Sequence, residues 1–183
     1  LRRDGPLADL AGRDAYRMLP AGWGRLDAVR TRASFDPVVR AGLRAELERV
    51  AGSPPVNAGA LVLLGGLDLE EGRAADAWAR DSSAAARDPQ AAFAFDGLAR
   101  SALALGRPRA ALEAIPRERA NFGDPAELER LEHRARADLA EIERNIAAAP
   151  RGTPARRSLE LRLAGLPRAL ASGSLPRRPA DER

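Results

Sequence analysis

Two Gly-Arg dipeptides constrain the fold most. Gly72-Arg73 and Gly106-Arg107 stand 34 residues apart, and the same step separates Pro55 from Pro89, Leu64 from Leu98 and Ala77 from Ala111. A fixed step that carries a turn, a proline and two small or apolar positions together describes a repeated unit. Each glycine falls between stretches with apolar residues at helical spacing, so each marks a short helix-to-helix turn. The spacing predicts helices over about 58–71, 74–87, 91–105 and 108–115, broken at Gly72-Arg73, Asp88-Pro89 and Gly106-Arg107-Pro108. These are antiparallel hairpins in series. Pro116 is expected to cut the fourth helix short.

Composition supports an all-α fold. Apolar residues make up 45% of the 183, enough to form a core, and aromatics only 4%. The apolar share is mostly Ala and Leu, which favour helices, while the residues that favour strands are scarce. Cys is absent, which removes disulfides and thiolate chemistry. No apolar run reaches the length of a membrane span.

The flanks follow a related grammar. Residues 1–57 are expected to hold N-terminal helices, over about 6–19 and 22–31 and then from Pro37, with Asp36 as its cap. They are also a candidate for an earlier, decayed repeat. Residues 58–123 form the repeat core. Residues 124–172 read as a long helical hairpin that caps it. Asp124-Pro125 opens its first helix, where Leu128, Leu131, Ala135, Leu139, Ile142 and Ile146 form one face over 125–148. Leu159, Leu163, Leu166 and Leu170 give the last helix its stripe, with Pro167 expected to kink or end it. Residues 173–183 are expected to be a disordered tail.

Within the core, Leu61-Val62-Leu63-Leu64-Gly65 followed by Ala77, Ala84 and Pro89, and Phe95-Asp96-Gly97-Leu98-Ala99 followed by Ala111 and Ile115, resemble two tetratricopeptide-repeat (TPR) units. The resemblance covers about 58–115. It implies a short solenoid of helical hairpins in which small residues at Gly65, Ala77, Ala99 and Ala111 let helices approach. Asp68 and Asp81 depart from the pattern, standing where the family has aromatics. The resemblance also implies a concave groove, lined by the first helix of each unit, that binds a partner protein or peptide. Its residues here are Val62, Leu69, Glu70, Phe93, Asp96, Arg100 and Leu103.

Reaction chemistry finds little foothold. His133 is the only histidine, with no second His or Cys to make a metal site. Gly22-Trp23-Gly24 lacks the third glycine of a dinucleotide loop, and no Lys exists to complete a phosphate loop. No serine lies in a nucleophile-elbow context. Acidic pairs such as Glu70-Glu71 read as solvated helix faces. Trp78 is expected to pack against a neighbouring helix, whereas Trp23 is either core or an exposed anchor.

All 30 basic residues are Arg, a mark of a GC-rich genome. Residues 1–148 hold 22 Arg against 23 acidic residues, and residues 149–183 hold 8 Arg against 3. The basic excess is therefore confined to the C-terminal stretch, where Arg156-Arg157 and Arg177-Arg178 are candidates for contact with phosphates or an anionic membrane.

The expectation is a non-catalytic interaction scaffold with no cofactor, metal or small-molecule substrate, working in a larger bacterial assembly or longer chain, cytoplasmic or periplasmic. Two alternatives stand beside it. One is an accessory or regulatory domain of a larger enzyme or membrane protein. The other is Arg-rich C-terminal binding to nucleic acid or membrane.

Overall fold

A computed structural model describes residues 37–54, 57–91, 93–121, 124–167 and 170. The expected helices over 6–19 and 22–31, Trp23 and the tail at 173–183 lie outside the described residues. The protein is all-helical. Seven helices appear among the described residues: α1 (Pro37–Gly52), α2 (Ala58–Glu70), α3 (Ala74–Arg87), α4 (Ala94–Ala104), α5 (Pro108–Asn121), α6 (Pro125–Ala148) and α7 (Pro154–Arg162). Each packs on the next in the chain, within hairpins and between them. α4 additionally touches both α2 and α6.

The two glycine turns are built from the same hydrogen bonds. Gly72 and Gly106 both hold a left-handed backbone, at φ 75° and 66°. The N–H of Arg73 donates to the carbonyl of Asp68 and that of Gly72 to Leu69; 34 residues on, Arg107 donates to Ala102 and Gly106 to Leu103. This paired closure satisfies carbonyls that a helix end leaves without partners, and it needs a residue with no Cβ at the left-handed position.

Helix starts are also legible in side chains. Asn57, Asp124 and Thr153 each accept a backbone N–H of the following first turn, a device worth about 1 kcal/mol. Pro125 and Pro154 open α6 and α7 where no N–H is needed.

The main core runs through α3, α4 and α5 and reaches α2 and α6. It contains Ala84, Phe95, Leu98, Ala99, Ala111, Ala114, Ile115, Leu128 and Ala135. A second cluster joins α1 to α2 through Leu43, Leu47, Ala60, Leu64 and Leu67. Ala77, Leu64, Leu98, Ala99 and Ala111 are all fully buried. Trp78 is partly buried against the main core, and the Arg107 guanidinium stacks 5.7 Å from its ring centre.

Two helix ends differ from expectation. α5 does not stop at Pro116 but runs through it to Asn121. Pro116 lies on the exposed side, while Ile115 and Glu118 hold the helix on the core to either side of it. The last helix ends at Arg162, before Pro167. Beyond it residues 163–167 run along α5 in non-helical form. Arg162 donates to the Gly106 carbonyl at 3.2 Å, the Leu166 N–H donates to Glu113 at 2.6 Å, and Leu166 and Leu170 enter the main core.

Candidate interaction face and its buried acids

The seven residues expected to line a groove come out in different settings. Val62 and Leu103 are buried at 7% and 5% exposure and belong to the main core, so neither is presented to a partner. Their helices are rotated so that these positions point inward. Leu69 and Phe93 are half-buried. Glu70 is exposed and lies 3.1 Å from Arg40 on α1. Asp96 and Arg100 form an ion pair at 2.7 Å one turn apart on α4, and Arg100 also reaches Glu127 on α6 at 2.9 Å. Arg100 thus ties two neighbouring helices together, and a partner anion would compete with two carboxylates for it.

Behind this face lie three fully buried carboxylates, Asp68, Asp81 and Glu118. Each solves the cost of burying an acid differently. Asp68, on α2, is surrounded by three guanidinium groups: Arg44 from α1 at 2.9 Å, Arg80 from α3 at 2.6 Å and Arg73 from the turn. Burial pulls its pKa up, but the bonds from Arg73 and Arg44 and the charge of Arg80 outweigh that and keep it below the usual carboxylate range. Glu71 joins the same cluster through Arg40, Arg44 and Arg73 and is held down at about 2, chiefly by the Arg40 bond.

Asp81, on α3, has no partner at either carboxyl oxygen. It fills a slot between α2 and α4 that exists because Gly65 and Gly97 lack side chains; a Cβ on Gly97 would stand 2.5 Å from Oδ2. Burial, reinforced by the charges of Asp96 and Asp68, pushes its pKa well up. Burial thus favours the protonated form of this acid.

Glu118, on α5, reaches the start of α4. It accepts the N–H of Phe93 at 3.0 Å and that of Asp96 at 3.2 Å. Burial pushes it up to about 7, against the pull of these N–H bonds.

The other candidates differ in setting. Arg156 donates to the carbonyls of Ile146 and Ala149 at the end of α6, so it closes that helix. Arg151 and Arg157 are exposed. His133 is exposed on α6. Among the described residues no group of His, Asp and Glu side chains is placed to hold a metal ion, and no helix is long and apolar enough to cross a membrane. The sequence signal for Asp81 and Glu118 was faint: two mid-helix glycines, and an acid at a helical position whose neighbours are core. No protein-family model, curated protein or solved structure matches the chain.

Proposed function

We propose that the chain is a short TPR-like scaffold whose α2, α4 and α6 together present one face to a protein or peptide partner. The observation that carries this reading is the repetition of the whole turn, hydrogen bond for hydrogen bond, at the 34-residue step. Equivalent turns give equivalent hairpins, and stacked hairpins place alternate helices side by side. The contacts of α4 with both α2 and α6 agree with that stacking, as does the Arg100 bridge to Glu127.

The proposed contact residues are Leu69, Glu70, Phe93, Asp96 and Arg100. Their chemistry is mixed: two half-buried apolar groups beside an internally neutralised ion pair. Such a surface suits an amphipathic segment that lays apolar side chains near Phe93 and Leu69 and exchanges hydrogen bonds with the Asp96–Arg100–Glu127 set. The accessory-domain reading uses the same face, with the partner in the same polypeptide or complex. The Arg-driven reading is weakened by Arg156 and Arg162, whose guanidinium groups are engaged with backbone carbonyls.

The test is affinity capture with mass spectrometry, comparing the wild-type chain with the Phe93→Ala/Arg100→Ala double variant after circular dichroism shows both folded. Loss of the same specific partner from the variant is expected. An unchanged set of partners sinks the reading.

A further inference from the structure

We propose that Glu118 is a proton-operated latch on the first turn of α4. That turn has no cap of its own. Its cap residue, Phe93, contributes no side-chain bond and holds a left-handed backbone at φ 62° and ψ 4°, the sole non-glycine with positive φ among the described residues. A large L-residue stays there only when its surroundings hold it. The holder is Glu118 from the next helix, whose two oxygens take the N–H groups of Phe93 and Asp96 separately.

This arrangement replaces a local cap with one that has a charge state. Protonated, the carboxyl keeps acceptor oxygen for these N–H groups without a buried charge. Ionised, its bonds to N–H groups at the positive end of a helix strengthen, but they do not offset the burial of the charge, so ionisation favours opening of the turn and hydration of the carboxylate. Burial places the change near neutrality. The opposite side of the same turn rests on Asp81 through Gly97, so α4 begins between two buried acids.

The surrounding charges do not override this. On α4, Asp96 opposes ionisation of Glu118, but it is itself paired with Arg100. On α6, Glu127 is engaged with Arg100 and Arg130, and Glu132 with Arg119 and Arg136. On α5 itself, the Arg117 guanidinium lies 5.5 Å from the Phe95 ring centre. Between α3 and α4, the Asp88 carboxylate accepts the Gln90 N–H. Proton uptake at Glu118 thus reads out at Phe93 and Asp96. Its consequence for partner binding rests on the proposed face, whereas the latch itself rests on the fold.

The test uses the full chain without any partner. Amide hydrogen exchange by NMR, corrected for intrinsic rates, is followed from pH 5.5 to 8.5. Protection of Phe93 and Asp96 is expected to fall at least about fivefold, levelling off within about one pH unit of 7, and to fall further than that of Ala111 on α5. In Glu118→Gln the fall disappears; in Asp81→Asn it remains. Flat protection in the wild type, or a fall that survives Glu118→Gln, overturns the latch. If Glu118→Gln does not fold, the Glu118 carboxyl carbon shift in the wild type decides. A midpoint near 7 that moves with the Phe93 amide supports the latch, and one below pH 5 refutes it. Either failure leaves the partner-face reading untouched, because no partner enters the experiment.

Discussion

The carboxyl group of Asp81 occupies the space that a side chain at Gly97 would need. The contact joins the two central hairpins, since Asp81 belongs to α3 and Gly97 to α4, with Gly65 of α2 on the other side. Adding a methyl group at position 97 brings a Cβ 2.5 Å from Oδ2, and the carboxyl is enclosed. We expect Gly97→Ala to destabilise the fold by roughly 1–3 kcal/mol, although alanine is the better helix former. Urea melts of Gly97→Ala alone and combined with Asp81→Ala check this. The second change should recover part of the loss; a Gly97→Ala variant as stable as the wild type would refute the slot.

Stability should respond to pH with an unusual sign. Glu118 is raised from 4.5 to about 7, and Asp81 is raised as well. Both bind protons more readily in the folded chain, so their contribution is full below their unfolded values. For Glu118 it is lost as pH climbs from 4.5 to about 7 and is on the order of 3 kcal/mol. Glu71, lowered from 4.5 to about 2, acts oppositely: it stabilises above 4.5 and its share is lost as pH falls. Stability is therefore expected to peak near pH 5 and decline toward pH 8. Chemical denaturation at a series of pH values measures this, and Asp81→Asn should be more stable than wild type at pH 8.

The turn glycines should tolerate substitution in a graded way. Gly72 has open space where a Cβ would go, so Gly72→Ala pays chiefly for the left-handed backbone, about 1 kcal/mol. At Gly106 the Arg162 guanidinium lies 2.9 Å from that position, so Gly106→Ala must also displace Arg162. Thermal melts should rank Gly106→Ala below Gly72→Ala, with Asn at either site milder than Ala because Asn accepts the left-handed region more readily.

The returning C-terminal segment should contribute measurably. Leu166→Ala removes a side chain buried in the main core and is expected to cost about 2–3 kcal/mol. Proteolysis would then occur earlier in 163–170 than in α5. An unchanged melting temperature would mean that this segment does not support the core.

Much of this fold was legible because its turns demand particular residues. A left-handed helix end leaves a glycine in the sequence, so Gly72 and Gly106 exposed both the repeat step and the hairpins. The Asp-Pro start at 124–125 left a similar mark. The buried acids were not legible, because burial of Asp68, Asp81 and Glu118 is decided by contacts between helices. Asp68 and Asp81 looked like departures from a packing pattern; instead, one gathers three arginines and the other fills a glycine slot. The proposed face was read only in part. Val62 and Leu103 share a helical face with their neighbours on paper, but contacts between helices bury both in the main core. Pro116 misled because an exposed proline does not end a helix whose neighbours, Ile115 and Glu118, are buried. Leu166 kept helical spacing from Leu163 while reaching the core from non-helical backbone.

The central claim is that α2, α4 and α6 share one partner-binding face. Photo-crosslinking tests it most directly, with a photoreactive residue placed in turn at Glu70 on α2, Arg100 on α4 and Arg109 on the exposed side of α5. The same partner is expected to crosslink from positions 70 and 100, and none from 109. Crosslinking from 109 alone, or to unrelated proteins from 70 and 100, would contradict it.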